Sequence, residues 1–267
     1  MHNSHTHLVQ CVLALILPTL AVADSFSKLK RSNSAPVVQQ SSAALAGCGS
    51  EVLSQSASQN IVLPNSVSCN AGGPGYFHNN VSYYRAFALG AYPRGFSACA
   101  VRIGIESANA AGSGTAQPLT VRLFANRGAA FPGGNRQQVA TTTISVTDQT
   151  RSVIEVPLLG TFPSGAELIA EVFSPNGQAT GHSFFIGSNA AGQSAPGYVL
   201  APACGVIGPT SLAAIGHPNA HLVLSVVGAA SSAVGNLTLV SVPSLNVYSQ
   251  LLLGLLVIAM GLVAIRK

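Results

Sequence analysis

The sequence predicts an all-β protein: an antiparallel β-sandwich of jelly-roll-like form, with an N-terminal signal helix and a C-terminal transmembrane helix. Three observations predict it. Apolar residues recur at every second place in short segments between residues 81 and 228. Turn formers separate those segments. No stretch between them carries the 3.6-residue period of an amphipathic helix.

The segments "VSYYRAFAL" (81–89), "ACAVRIGIES" (98–107) and "LTVRLFAN" (119–126) set the pattern. Successive strand side chains point to opposite faces, so Val101, Ile103 and Ile105 share one face while Arg102 and Glu106 lie on the other. "QVATTTISVTD" (138–148), "SVIEVPL" (152–158), "ELIAEVFSP" (167–175), "HSFFIGS" (182–188) and "AHLVLSVVG" (220–228) continue the series. Pro132-Gly133-Gly134, Pro163-Ser164-Gly165 and Pro175-Asn176-Gly177 break it into strands, because these residues favour turns.

Around this domain (70–228) the chain changes character. Residues 1–23 read as a signal peptide: Leu8 to Ala23 are mostly apolar, and Ala21-Val22-Ala23 is a small-residue site for signal peptidase between Ala23 and Asp24. Residues 24–69 are a low-complexity lead-in containing Cys48 and Cys69; the Ser, Ala and Gln of 24–68 predict disorder. "LAGC" (45–48) has the form of a lipobox, but the polar "NSAPVVQQSSAA" before it is no signal core. Residues 229–241 read as a flexible tether.

From Val247 to Ile265 the tail is almost wholly apolar, and Arg266 and Lys267 close it. At 1.5 Å rise per residue it reaches about 28 Å, near the hydrocarbon thickness of a bilayer. A terminal basic pair holds that end in the cytoplasm and leaves the domain outside. A core helix of a soluble protein would show a polar face, which this tail lacks. The small residues at 229–232 fit a glycosylphosphatidylinositol signal loosely; the basic end suits a stop-transfer helix better.

Just before this helix stand Val242, Pro243, Ser244 and Leu245. The arrangement resembles the IPTL-CTERM class of bacterial C-terminal sorting signals, in which Ile/Val-Pro-Thr/Ser-Leu precedes one hydrophobic helix and a basic end. Those four residues match the motif, and Arg266 and Lys267 match the end. Asn246, Val247 and Tyr248 replace the polar residues and Trp usual after it. The resemblance covers the last 26 of 267 residues, Val242 to Lys267. It implies export, temporary anchoring in the membrane, and sorting to the surface by an exosortase-type enzyme. The middle of the chain looks like an uncharacterised β-domain of secreted bacterial proteins with such tails, and that likeness brings no activity with it.

Charge excludes one partner class. Only 7% of the residues are charged, and five of the cations, Lys28, Lys30, Arg31, Arg266 and Lys267, lie outside the domain. Between Asn70 and Gly228, seven arginines face five acids, a net +2. No basic stripe forms, so nucleic acid is not an expected partner. Four cysteines remain after signal removal: Cys48, Cys69, Cys99 and Cys204. An even count in an exported chain predicts two disulfides, which we read as Cys48–Cys69 and Cys99–Cys204. No C-x-x-C spacing appears, and neither metal nor cofactor is expected.

Candidate chemistry is sparse. His217 and His221 have the spacing of a helical metal pair, but Pro218 opposes a helix. Ser183 and Ser194 sit in incomplete G-x-S-x-G motifs. Glu167 and Glu171 share a strand face about 13 Å apart, too far for a glycosidase pair, and read as solvent-facing. The loop 188–205, with Tyr198 and Cys204, is the candidate recognition loop. Asn80 and Asn236 stand in glycosylation sequons. The expectation is a non-enzymatic surface protein, adhesive or structural. A surface carbohydrate-binding module, with extracellular polysaccharide as partner, and a hydrolase with an unrecognised site are the alternatives.

Overall fold

A computed structural model of the chain describes residues 49–70, 76–110 and 116–232. The chain divides into two units, Met1–Ser231 and Ser232–Lys267, and the fold described here belongs to the first. Ala23, Asp24, Cys48, Asn236, the motif Val242–Leu245, Arg266 and Lys267 lie outside the described residues. Among the described residues no helix is long and apolar enough to cross a membrane.

The strands in order are β1 (Glu51–Leu53), β2 (Val81–Ala88), β3 (Phe96–Asn109), β4 (Ala116–Arg127), β5 (Asn135–Thr147), β6 (Gln149–Phe162), β7 (Glu167–Ser174), β8 (Ser183–Ile186), β9 (Ser188–Asn189) and β10 (Tyr198–Ala201). A 3-10 turn (Pro202–Cys204) follows, then β11 (Val206–Ser211), β12 (His221–Leu222) and β13 (Leu224–Ala230). One sheet has the order β1-β13-β3-β6, with β8 also on β3; a six-stranded sheet has the order β11-β10-β2-β7-β4-β5; β12 and β9 form a small ribbon. Every pairing within the sheets is antiparallel.

The alternating segments of the sequence all fall on strands, because alternation is what a half-buried strand requires. Ile103 and Ile105 of β3, Val121 and Leu123 of β4, Leu168 and Val172 of β7, and Leu224 and Val226 of β13 meet in one core. The two large sheets therefore pack face to face, a β-sandwich-like arrangement. Each such aliphatic side chain contributes about 1.5–3 kcal/mol when fully buried. Gly104 marks a close approach: a Cβ there would stand 2.7 Å from Val223 Cβ.

The lead-in is not disordered where it is described. β1 pairs with β13, Glu51 opposite Gly228. Val67 and Cys69 are buried in the core. The N–H groups of Asn65 and Ser66 donate to Glu106 Oε2 at 3.1 and 2.9 Å. Composition misses this because polar residues here are ordered by partners far along the chain, not by an apolar face of their own.

The disulfide reading is also corrected. Cys69 is bonded to Cys204, with Cα atoms 5.9 Å apart, so neither Cys48–Cys69 nor Cys99–Cys204 forms. The register explains it. β10 lies on β2 with Leu200 opposite Ser82, which brings the turn after β10 to the start of β2. Cys69 is tied to the same place, its carbonyl accepting the Asn79 N–H at 2.7 Å. Cys99 is disulfide-bonded as well, to a partner outside the described residues.

Candidate functional site

The outer face of the six-stranded sheet, turned away from the core, gathers the aromatic and charged groups best placed to meet a ligand. Alternation puts Tyr84 of β2, Glu171 of β7, Arg122 of β4 and Tyr198 of β10 on this face. The registers bring them into one row: Tyr198 opposite Tyr84, Tyr84 opposite Glu171, Arg122 opposite Glu171. The Tyr84 hydroxyl donates to Glu171 Oε1 at 2.8 Å. Arg122 donates to Glu171 Oε2 at 2.9 Å and lies 5.2 Å over the Phe173 ring.

A second carboxylate fastens a lid on this row. Glu167 Oε2 accepts from Asn126 Nδ2 and from the Phe131 N–H, both at 2.9 Å. That places Phe131, from the β4–β5 loop, over the sheet. Its ring centroid is 5.4 Å from Tyr84 and 4.8 Å from Tyr198. Tyr84, Phe131 and Ile169 are buried together, with Phe124, Tyr198 and Leu200 half-buried around them. Arg136 stacks over the Phe131 ring. Burial first, and then the Glu171 carboxylate, raise the Tyr84 phenol well above its ordinary value, so it stays a neutral donor. Burial, with Glu167, raises Tyr198 as well.

The expectation of solvent-facing carboxylates is therefore corrected: Glu171 is only 5% exposed. Alternation places these residues opposite the core correctly, but cannot foresee that Phe131 covers that face. The arrangement offers half-exposed rings and the Arg122 guanidinium for stacking and hydrogen bonding, while the Glu171 carboxylate is engaged by Tyr84 and Arg122. The hydroxyl that stands against a carboxylate here is Tyr84 on Glu171, and both are buried.

The stretch 188–205, read as a loop, holds β9, β10 and the 3-10 turn, which leaves 190–197 as the loop; Arg85 latches this loop from beneath. Its guanidinium donates to Gln193 Oε1 at 2.8 Å, the Ala195 carbonyl at 2.6 Å and the Leu222 carbonyl at 2.8 Å. Gln55 Oε1 stands at 3.5 Å. Arg85 is 0% exposed, and burial pulls it down to about 10. The sequence does signal it: Val81, Tyr83, Arg85 and Phe87 alternate onto the core face. Tyr198 follows the latched loop as the first residue of β10, where the ladder to β2 sets it opposite Tyr84.

The other candidates are accounted for singly. His221 Nδ1 accepts the Gly192 N–H at 3.0 Å and Nε2 faces the Pro218 carbonyl at 3.2 Å, so both ring nitrogens are engaged. Burial lowers His217. The described residues hold no group of three metal-ligating side chains. Ser183 lies in β8, its carbonyl accepting from Gln117 at 2.8 Å, and Ser194 is exposed in the loop with its N–H on the Gln55 carbonyl. Neither stands at a strand-to-helix elbow. Asn80 Oδ1 accepts the Asn176 N–H at 2.8 Å and caps the 175–177 turn.

One serine–histidine contact was not anticipated. Ser174 Oγ is 2.6 Å from His78 Nε2, which also lies 2.8 Å from the Pro175 carbonyl. Ser174 is 0% and His78 1% exposed, so no substrate reaches either. Burial, opposed by backbone hydrogen bonds and reinforced by His182, brings His78 down to about 4. The unfolded chain protonates this ring below about 6.5 and the fold only near 4. Stability is thus present above pH 6.5 and lost as pH falls toward 4, by about 3 kcal/mol. Urea midpoints between pH 7 and 4 should show the loss, and His78→Gln should flatten it; an equal slope in the variant would refute the assignment.

No family model matches the chain, and no curated protein matches it. Among solved structures, the chain is similar to one described as the cysteine protease and lectin-like domains of Cwp84, a surface layer associated protein of Clostridium difficile. The identity is 11% and the TM-score 0.38, over 57% of this chain and 32% of that one.

Proposed function

We propose that the chain is an exported, non-enzymatic surface protein whose jelly-roll-like sandwich serves adhesion or envelope structure. The observation that carries this is the Cys69–Cys204 disulfide, accompanied by a bonded Cys99. Disulfides persist in oxidising compartments outside the cytoplasm. The orders β1-β13-β3-β6 and β2-β7-β4-β5 support the jelly-roll reading. With β13 counted as the eighth main strand they become 1-8-3-6 and 2-7-4-5, two interlocked Greek keys. The segment β8–β12 is then an insertion before the last strand. Signal peptidase would act between Ala23 and Asp24. An exosortase-type enzyme would act at Val242–Leu245 after the tail has anchored the chain in the membrane.

The test is the intact mass of the protein in membrane and medium fractions of its native host. A released form lacking everything after about Val242, and absent for Pro243→Ala, is the expected result. A membrane form that keeps Lys267 in every fraction would replace sorting with permanent anchoring.

Carbohydrate binding is the second reading, favoured by the outer face. Half-exposed rings such as Phe173 and Tyr198 suit the apolar faces of sugars, and Arg122, held in place by the buried Glu171, suits their hydroxyls. A glycan array should then show binding that Arg122→Ala weakens about tenfold, the loss of one charge-assisted contact. An array without signal leaves the structural reading alone.

A further inference from the structure

We propose that strand β5 is a self-pairing edge, across which a second copy of this chain extends the six-stranded sheet about a two-fold axis. Among the described residues β5 pairs with β4 alone. The opposite edge of this 13-residue strand is therefore unpaired by any described strand.

Free edges are templates for other strands, and proteins usually blunt them with brevity, proline or charge. The other strands paired on one side only in the two large sheets are blunted, β8 by its four residues. β1 has three residues. β11 contains Pro209. β6 contains Pro157 with Arg151 and Glu155. β5 has none of these devices between Gln137 and Thr147; its "QQVATTTISVT" is uncharged and rich in β-branched residues, which favour pairing.

The occupant follows from the pattern of that edge. Arg136 precedes the uncharged run and Asp148 follows it. Antiparallel copies bring unlike ends together; parallel copies would set like against like. The register shift near Leu123/Phe124 leaves Ala140–Thr147 as the regular stretch. Thr141, Thr143 and Ser145 are exposed on its outer face, and Ala140 and Ile144 are half-buried against the core. A two-fold axis at Thr143 sets Thr141 opposite Ser145 of the second copy, hydroxyl against hydroxyl. It sets Thr142 opposite Ile144 on the inner side. Val139, 37% exposed, lies at the same edge. Such a surface is complementary to itself, which a two-fold contact requires. The proposal does not depend on whether the tail is processed.

The test is cysteine cross-linking of the full-length chain in the membranes of cells that express it, read on non-reducing gels. Directly opposed Cα atoms of an antiparallel pair stand about 4.5–5.5 Å apart, within disulfide reach. Thr143→Cys should give a covalent dimer on the order of tenfold more than Ile207→Cys, exposed on β11 at the far edge of the same sheet. Thr141→Cys should cross-link with co-expressed Ser145→Cys more than with itself. Thr143→Lys, which adds no thiol, should turn a sedimenting dimer into a monomer while the melting temperature moves by less than about 2 °C. Equal cross-linking at Ile207, no dimer at all, an adduct of another protein's mass, or a dimer that survives Thr143→Lys would overturn the proposal.

Discussion

The double variant Cys69→Ala/Cys204→Ala is expected to lose about 4–5 kcal/mol of stability, with a fall in melting temperature of roughly 10–18 °C. The bond closes a loop of sequence separation 135, and a long loop is where a cross-link most restricts the unfolded chain. Both sulfurs are buried, at 0% and 5% exposure, so the alanines add small voids to the entropic loss. Denaturant melts of oxidised protein and variant measure the difference. A loss below about 1 kcal/mol would mean that the sheet alone already holds the start of β2 against the turn after β10.

Arg85→Met should cost about 2–4 kcal/mol and loosen the loop it latches. Removing a buried charge is often neutral when its partner is also removed, because desolvation is relieved. Among the described residues no carboxylate partners the guanidinium. Its acceptors are the Ala195 and Leu222 carbonyls and the Gln193 side chain, and methionine leaves them without donors. Lysine is a poor substitute, since one ammonium does not reproduce the planar fork. Hydrogen exchange should accelerate at residues 189–197 and at Gln55, while β4 and β7 keep their protection. Unchanged exchange in the loop would show that Arg85 is merely enclosed there. The two variants act at separate points on the same insertion, so their effects should nearly add.

The main strands were legible because each alternates over enough residues to declare its inner face, as Val101, Ile103 and Ile105 do. Turn chemistry marked their limits, as at Pro163-Ser164-Gly165 before β7. β1, β9 and β10 were not legible: two to four residues carry no period, and their partners hold them in place. β11 hides behind Gly208 and Pro209. The candidate site was half legible. Glu167, Glu171 and Tyr198 could be picked out, but not that a loop near residue 131 would fold over them. The cysteine pairing failed for the same reason. Spacing along the chain favours Cys48 with Cys69, while the β2–β10 register, a long-range fact, decides for Cys204.

The position of β13 has a mechanical consequence. The chain leaves the described domain directly from this strand, where the Ser231 N–H still bonds to the Gly95 carbonyl at 2.9 Å. β13 is flanked by β1 on one side and β3 on the other. A pull along the strand from residue 232, with the β3 side of the domain held, therefore loads the β13–β3 ladder in shear, whereas a pull between residues 49 and 232 peels β1 from β13, because Glu51 stands opposite Gly228. Force applied at residue 232 thus reaches the core first through β3, the long neighbour of β13.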